Sequence, residues 1–161
     1  MKIEDFFEIV PKLPGVRVFQ FVDNSDYAKK LAKFAMEEDF ELEIVTFNED
    51  IYEKIKNLKS SNINIRNITE EKERYNLRSK VYDTIFVNLD IERIKNLEMF
   101  LRKIYRIMKN AANIVLPVNI EKKDEIRDLL EKCNFVAINF TPINDNKAVF
   151  IAKKLHGWTK V

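Results

Sequence analysis

Residues 82–90 read YDTIFVNLD and residues 113–119 read NIVLPVN, and the way the chain passes from one to the other decides the fold. In the first stretch Ile85, Phe86, Val87 and Leu89 form a short apolar run, rich in β-branched and aromatic residues. It ends at Asn88, Leu89 and Asp90, which suits a central strand better than a piece of helix. From Ile91 the period changes. Ile94, Leu97, Leu101, Ile104 and Met108 recur at spacings of three and four, so one helical face collects them. Arg93, Lys95, Glu98, Arg102, Lys103 and Arg106 mostly take the other faces. The spacing predicts a helix of about 20 residues, roughly 30 Å long. That is enough to cross a sheet face and return a parallel strand over 113–119 as a right-handed strand–helix–strand unit.

The rest of the chain reads as units added on either side. Residues 2–12 suggest a short helix, which Pro11, Pro14 and Gly15 break. Residues 16–22 (VRVFQFV) make a strand, and Asp23, Asn24, Ser25 and Asp26 form an N-cap cluster for a helix over 27–38. Ala28, Leu31, Ala32 and Ala35 are its inward face, small enough for close packing on a sheet. Residues 42–47 (LEIVTF) form the next strand. Asn48, Glu49 and Asp50 then open a helix that buries Ile51, Ile55 and Leu58. Residues 63–68 (INIRNI) suit an edge strand, and the charged residues 69–80 a solvated helix or loop. Residues 121–132 form a helix with Ile126, Leu129, Leu130 and Cys133 inward. Residues 135–141 and 148–152 are joined by a link too short for a crossover helix, so they must pair antiparallel. One domain is expected, with residues 1–15 as N-terminal helix and linker, 16–155 as an α/β core and 156–161 as a tail.

Composition narrows the function classes. The chain has 161 residues, 46% hydrophobic and 34% charged, with a formal net charge of +2. That charge gives no clear nucleic-acid signal. No apolar stretch approaches the ~20 residues that span a bilayer, and acids in the first ten residues argue against a signal peptide. The single cysteine, Cys133, suits a reducing cytoplasm. His156 is the only histidine, so no histidine-rich metal site is expected; with Gly157 and Trp158 it reads as a surface tail outside the sheet. Glycine is limited to Gly15 and Gly157, leaving almost nothing from which to build a glycine-rich loop.

Five strands alternating with helices and a closing antiparallel hairpin resemble the class I S-adenosylmethionine-dependent methyltransferase superfamily, over nearly the whole chain from residue 16 to about 155. The resemblance implies a three-layer, Rossmann-like α/β fold. Its seven-stranded sheet is mostly parallel, with the antiparallel last strand inserted between the fifth and sixth. It also implies a cofactor site, and here the motifs depart from the family. Where the family ends its first strand in an acid followed by alternating glycines, this chain has Gln20, then Val22, Asn24 and Asp26. The glycines let backbone approach the cofactor closely. Val22 does not suit that approach, whereas Asn24 tolerates a left-handed conformation. Asp23 and Asp26 oppose a bound anion at the helix start. The ribose-binding acid at the end of the second strand is replaced by Asn48, with Glu49 beside it. Asn88 and Asp90 stand at the end of the fourth strand, where many members place substrate-facing groups, but without the Asn-Pro-Pro-aromatic tetrapeptide of amino-methylating members.

The candidate cofactor-binding set is thus Gln20, Asp23, Asn24, Asn48, Glu49, Asn88 and Asp90, arranged around a crevice where strand order reverses. Asn119 would stand at the far edge of that crevice, and Phe21 and Phe47 offer apolar surface for an adenine, though core packing explains them equally well. Plain capping explains Asp23, Asn24, Asn48 and Asp90 as well. No residue stands out as a general base. Three functions compete: a methyltransferase-like protein with a degraded but S-adenosylmethionine-binding site, a non-catalytic module of the same fold, and an aminopropyltransferase-like enzyme, which needs an acidic pocket. A small-molecule ligand is compatible with the first and third, and a homo-oligomer with all three.

Overall fold

The computed structural model describes residues 1–155. After a 3₁₀ turn (Ile3–Ile9) come β1 (Arg17–Val22), α1 (Ser25–Glu38), β2 (Glu41–Thr46), α2 (Glu49–Ile55), β3 (Ile63–Asn67) and β4 (Tyr82–Asn88). A second 3₁₀ turn (Ile91–Arg93) leads to α3 (Leu97–Ile107), β5 (Met108–Asn119), α4 (Lys123–Lys132), β6 (Phe135–Pro142) and β7 (Lys147–Lys154). The seven strands form one sheet in the order β3-β2-β1-β4-β5-β7-β6. Pairings from β3 through β5 are parallel, and β7 is antiparallel to both β5 and β6. This is the strand order that the family resemblance implies, and the antiparallel end is the one the short β6–β7 link requires.

Alternation along the strands divides the core into two layers. Val18, Val22, Ile44, Phe86 and Val115 look toward α1 and α2, where Ala28, Leu31, Ala35 and Ile55 meet them. Phe19, Phe21, Ile85, Val87 and Leu116 look toward α3 and α4, meeting Phe100, Leu101, Ile104, Ile126 and Leu130. The alanine face of α1 is buried as its sequence predicts, and Cys133 is buried with α4. Each large apolar side chain so enclosed contributes about 1.5–3 kcal/mol.

Three expectations change. The opening helix is a 3₁₀ turn, its first turn closed by the Asp5 carboxylate accepting from the Lys2 backbone N–H at 2.8 Å. The helix after β4 is not one piece of about 20 residues: α3 has 11, and Met108 already belongs to β5. The break has a long-range cause. Glu70 accepts from the backbone N–H groups of Lys95 at 2.9 Å and Asn96 at 3.2 Å, and Asn96 then caps α3 by accepting from Met99 N–H at 3.1 Å. Ile94 and Leu97 still pack on the same core, so a broken helix and a continuous one give the same apolar spacing. Finally, the charged segment between β3 and β4 is a loop, one of the two forms expected, but it is not wholly solvated, because it holds Tyr75, which is fully buried. His156 and Trp158 lie outside the described residues.

Candidate functional site

Chain order runs β1, β2, β3 to one side of the sheet and then restarts with β4 beside β1. β1 and β4 stay paired to Val22 and Asn88, and the chain leaves their carboxyl ends toward opposite faces of the sheet at this reversal, where open α/β sheets bind ligands. A cavity of about 250 Å³ lies there, bounded by Asp23, Tyr27, Asn88, Asp90, Pro117 and Asn119. The structure thus brings together Asp23, Asn88 and Asp90, with Asn119 at the edge. Asn24 lines a neighbouring hollow of about 420 Å³ that shares Tyr27 and Lys147. Asn48 and Glu49 line neither.

The polar groups of this crevice are occupied with one another. Gln20 is fully buried, and its Nε2 donates to Asn88 Oδ1 at 2.8 Å and to the Tyr27 carbonyl at 3.2 Å. Asn88, 4% exposed, is therefore a clamp between β1 and β4 as much as a wall of the cavity. Gln20 Oε1 is buried with no partner among the described residues. Such a group destabilises a fold by about 1–3 kcal/mol unless something satisfies it. Above the clamp, Asp23 Oδ2 accepts from the Asp90 backbone N–H at 2.9 Å, and the Asp23 N–H donates to the Asn88 carbonyl at 3.3 Å. These bonds staple the loop after β1 to the loop after β4. Asp90 caps the 3₁₀ turn rather than a long helix, accepting from Glu92 N–H at 3.1 Å.

The remaining candidates act locally. Asn24 caps α1, accepting from Asp26 N–H at 2.8 Å. Its φ of −140° is extended, so its tolerance of a left-handed conformation is not used. Asn48 caps α2, accepting from Ile51 N–H at 3.1 Å, and Glu49 is an exposed acid in the first turn. Val22 is a fully buried strand residue.

The apolar surface beside β1 and β2 is real, but protein fills it. Tyr75 packs edge-on against Phe21 at 5.3 Å between centroids and against Phe100 at 5.8 Å, and meets Phe47 at 5.8 Å. Its hydroxyl donates to the Glu70 carbonyl at 2.8 Å, its carbonyl accepts from Arg66, and Lys103 Nζ lies 5.0 Å from its ring centre. Burial pushes its phenol well above the ordinary range. Tyr75 was missed in the sequence because nothing but its aromatic side chain distinguishes it within EEKERYNLRSK. Phe21 and Phe47 are thus core residues of this cluster.

A second groove, about 330 Å³, shares Ile91, Glu92 and Asn119 with the crevice and runs between Ile94 and Leu97 on one side and Ile126 and Leu129 on the other. No group of three or more His, Cys, Asp or Glu side chains that could hold a metal occurs among the described residues. No helix among them is long and apolar enough to cross a membrane.

The chain's fold is shared with solved S-adenosylmethionine-dependent methyltransferases. One from Aquifex aeolicus superposes with a TM-score of 0.76 at 15% identity, covering 96% of this chain and 90% of that one. The YcgJ protein of Bacillus subtilis matches with a TM-score of 0.72 at 11% identity, covering 96% of this chain and 98% of its own. A phosphoethanolamine N-methyltransferase 2 of Haemonchus contortus, solved with phosphomonomethylethanolamine and S-adenosylhomocysteine, matches with 0.74 at 13% identity. The chain covers 53% of the length of that last enzyme. No protein-family model matches the sequence, and no curated protein does.

Proposed function

We propose that this is a methyltransferase-like protein with a weakened S-adenosylmethionine site, acting in the cytoplasm, and that its small-molecule ligand enters the crevice between β1 and β4. The observation that supports this reading is the cavity bounded by Asp23, Asn88 and Asp90 at the reversal of strand order, in a fold shared with enzymes of that class. The residues present do not reproduce the cofactor contacts of the family. Val22 fills a glycine position, and the Asn48 oxygen that would meet the ribose holds α2 instead. Gln20 and Asn48 stand where the resemblance puts carboxylates; each charge-assisted hydrogen bond so lost removes about 1.5–3 kcal/mol, so the two lower affinity by more than about a hundredfold. Asp23, Asp90 and Glu92 line the crevice against the single base Lys147, but Asp23 and Asp90 already accept from loop backbone, and no observation favours an aminopropyltransferase.

Thermal unfolding with and without S-adenosylmethionine and S-adenosylhomocysteine tests the reading. The expected result is a small stabilisation at millimolar ligand that Asn88→Ala abolishes and Asn24→Leu keeps, since Asn24 only caps α1. Loss of stability in both variants with no ligand response in any form of the protein moves the assignment to a non-catalytic module.

A further inference from the structure

A further cavity lies at the opposite end of the sheet. It measures about 470 Å³ and opens at the amino ends of β1, β2, β3 and β4, where Arg17, Glu41, Asn64 and Tyr82 line it. Its origin is visible in the strands. In β2 and β3, Leu42, Ile44, Ile63 and Ile65 pack toward α1 and α2. The alternate positions Glu41, Glu43, Asn64 and Arg66 point to the other face, where the segment between β3 and β4 forms no helix to cover them. A sheet face left without a helix and lined by charged and amide side chains remains wet and open.

Much of this lining is already organised. Asn64 Nδ2 donates to both Glu43 carboxylate oxygens, at 3.1 and 2.9 Å, and Arg66 Nε donates to the same carboxylate. Asn76 Oδ1 accepts from the Tyr82 hydroxyl at 3.2 Å. Arg17 uses its Nε on Glu41 at 2.6 Å, and its two terminal nitrogens have no hydrogen-bond partner among the described residues. Lys59 and Arg78 line the same cavity and pair with no carboxylate among the described residues. The uncommitted groups are therefore cationic donors, with the Ser61 hydroxyl and the second Glu41 oxygen available to neutral hydroxyls.

We propose that this amino-end cleft is a binding site for a small phosphorylated polyol of the sugar-phosphate class, separate from the carboxyl-end crevice. Arg78 and Arg17 present planar forks suited to a phosphate and Lys59 a point charge. The carboxylate and hydroxyl groups between them suit sugar hydroxyls, and the volume lies within the range of small-molecule sites. The test titrates the whole chain with ribose 5-phosphate, ribose and inorganic phosphate. Calorimetry gives affinities, and amide chemical shifts locate the site. Ribose 5-phosphate should bind at least tenfold more tightly than either fragment, and shift amides of residues 59–64 and 76–78. Lys59→Ala and Arg78→Ala, both at exposed positions, should each weaken binding about tenfold or more while unfolding temperature holds. The proposal is overturned by absence of saturable binding or by phosphate binding as tightly as ribose 5-phosphate. Shifts confined to the β1–β4 crevice, or affinity unchanged in the double variant, overturn it as well.

Discussion

Both ends of the sheet carry polar side chains bonded to one another, and they differ in what is left over. At the carboxyl end Gln20, Asp23, Asn88 and Asp90 bond to one another or to backbone, closing the gap between β1 and β4. At the amino end Lys59 and Arg78 stand beside a larger cavity with no carboxylate partner among the described residues. A polar residue at a ligand-binding position is thus weak evidence of a ligand until its bonds are counted. A carboxamide already satisfied by protein gains little from binding, whereas a cation facing only water has everything to gain. The 69–80 segment takes part at both ends: Tyr75 fills the aromatic space near the ends of β1 and β2, and Asn76 lines the amino-end cleft.

The largest effect that could break this contrast comes from Tyr75. Tyr75→Ala removes a fully buried ring from among Phe21, Phe47 and Phe100 and should lower unfolding free energy by about 3–5 kcal/mol in urea titrations. Tyr75→Phe removes only the bond to the Glu70 carbonyl and should lose about 1 kcal/mol. An alanine variant within 1 kcal/mol of the parent would mean that the segment does not plug the aromatic space.

Asn88→Ala comes next. It removes the shorter of the two bonds of the buried Gln20 Nε2, leaving only the Tyr27 carbonyl at 3.2 Å, and should be destabilising by about 1–3 kcal/mol. Adding Gln20→Leu should recover most of that loss, because both members of the buried pair are then apolar. Strict additivity in the double-mutant cycle would show that the clamp between β1 and β4 carries no energy. Asp23→Ala, which frees the Asp90 N–H at an exposed position, should lose about 1 kcal/mol or less, read in the same titrations.

The smallest effect sharpens the comparison from outside both regions. Lys154 is buried at 6% exposure, its ammonium bonded to the Met108 carbonyl at 2.9 Å and 4.7 Å from the Tyr105 ring centre. Burial, and then Lys80, push its pKa below the ordinary lysine value. The folded state therefore holds the proton less tightly than the unfolded one, and stability from this site rises with pH up to the unfolded lysine pKa. Lys154→Met should be within about 1 kcal/mol of the parent at pH 7. Any advantage it has should shrink as pH rises toward 10. Tyr82 works in the opposite sense: burial pushes its phenol up to about 12, so its contribution is present below pH 10 and lost as pH climbs toward 12. Unfolding temperatures at pH 7, 9 and 10 for both proteins decide the lysine prediction.

Much of the fold was legible because it rests on local periodicities. The apolar run of β4, the alanine face of α1 and the short link between β6 and β7 each specify their element with little outside help. Asn24 and Asn48 were legible as caps for the same reason, since a cap is satisfied within three residues of its own position. What stayed hidden depends on partners distant in sequence. The break before α3 comes from Glu70, the burial of Tyr75 from β1, β2 and α3, and the engagement of Asn88 from Gln20. Position along a strand placed Asn88 and Asp23 at the crevice; only the folded chain could say that they were already bonded. The open amino-end cleft left a fainter trace, the charged and amide residues alternating with Leu42, Ile44, Ile63 and Ile65.

The central claim, a methyltransferase fold whose carboxyl-end crevice has lost the contacts for tight cofactor binding, is tested most directly by calorimetric titration of the whole chain with S-adenosylmethionine and S-adenosylhomocysteine. The account predicts dissociation constants at least about a hundredfold weaker than micromolar for both. Micromolar binding of either would contradict it, because the bonds joining Gln20 to Asn88 and Asp23 to Asp90 would then have to yield to a ligand at little expense.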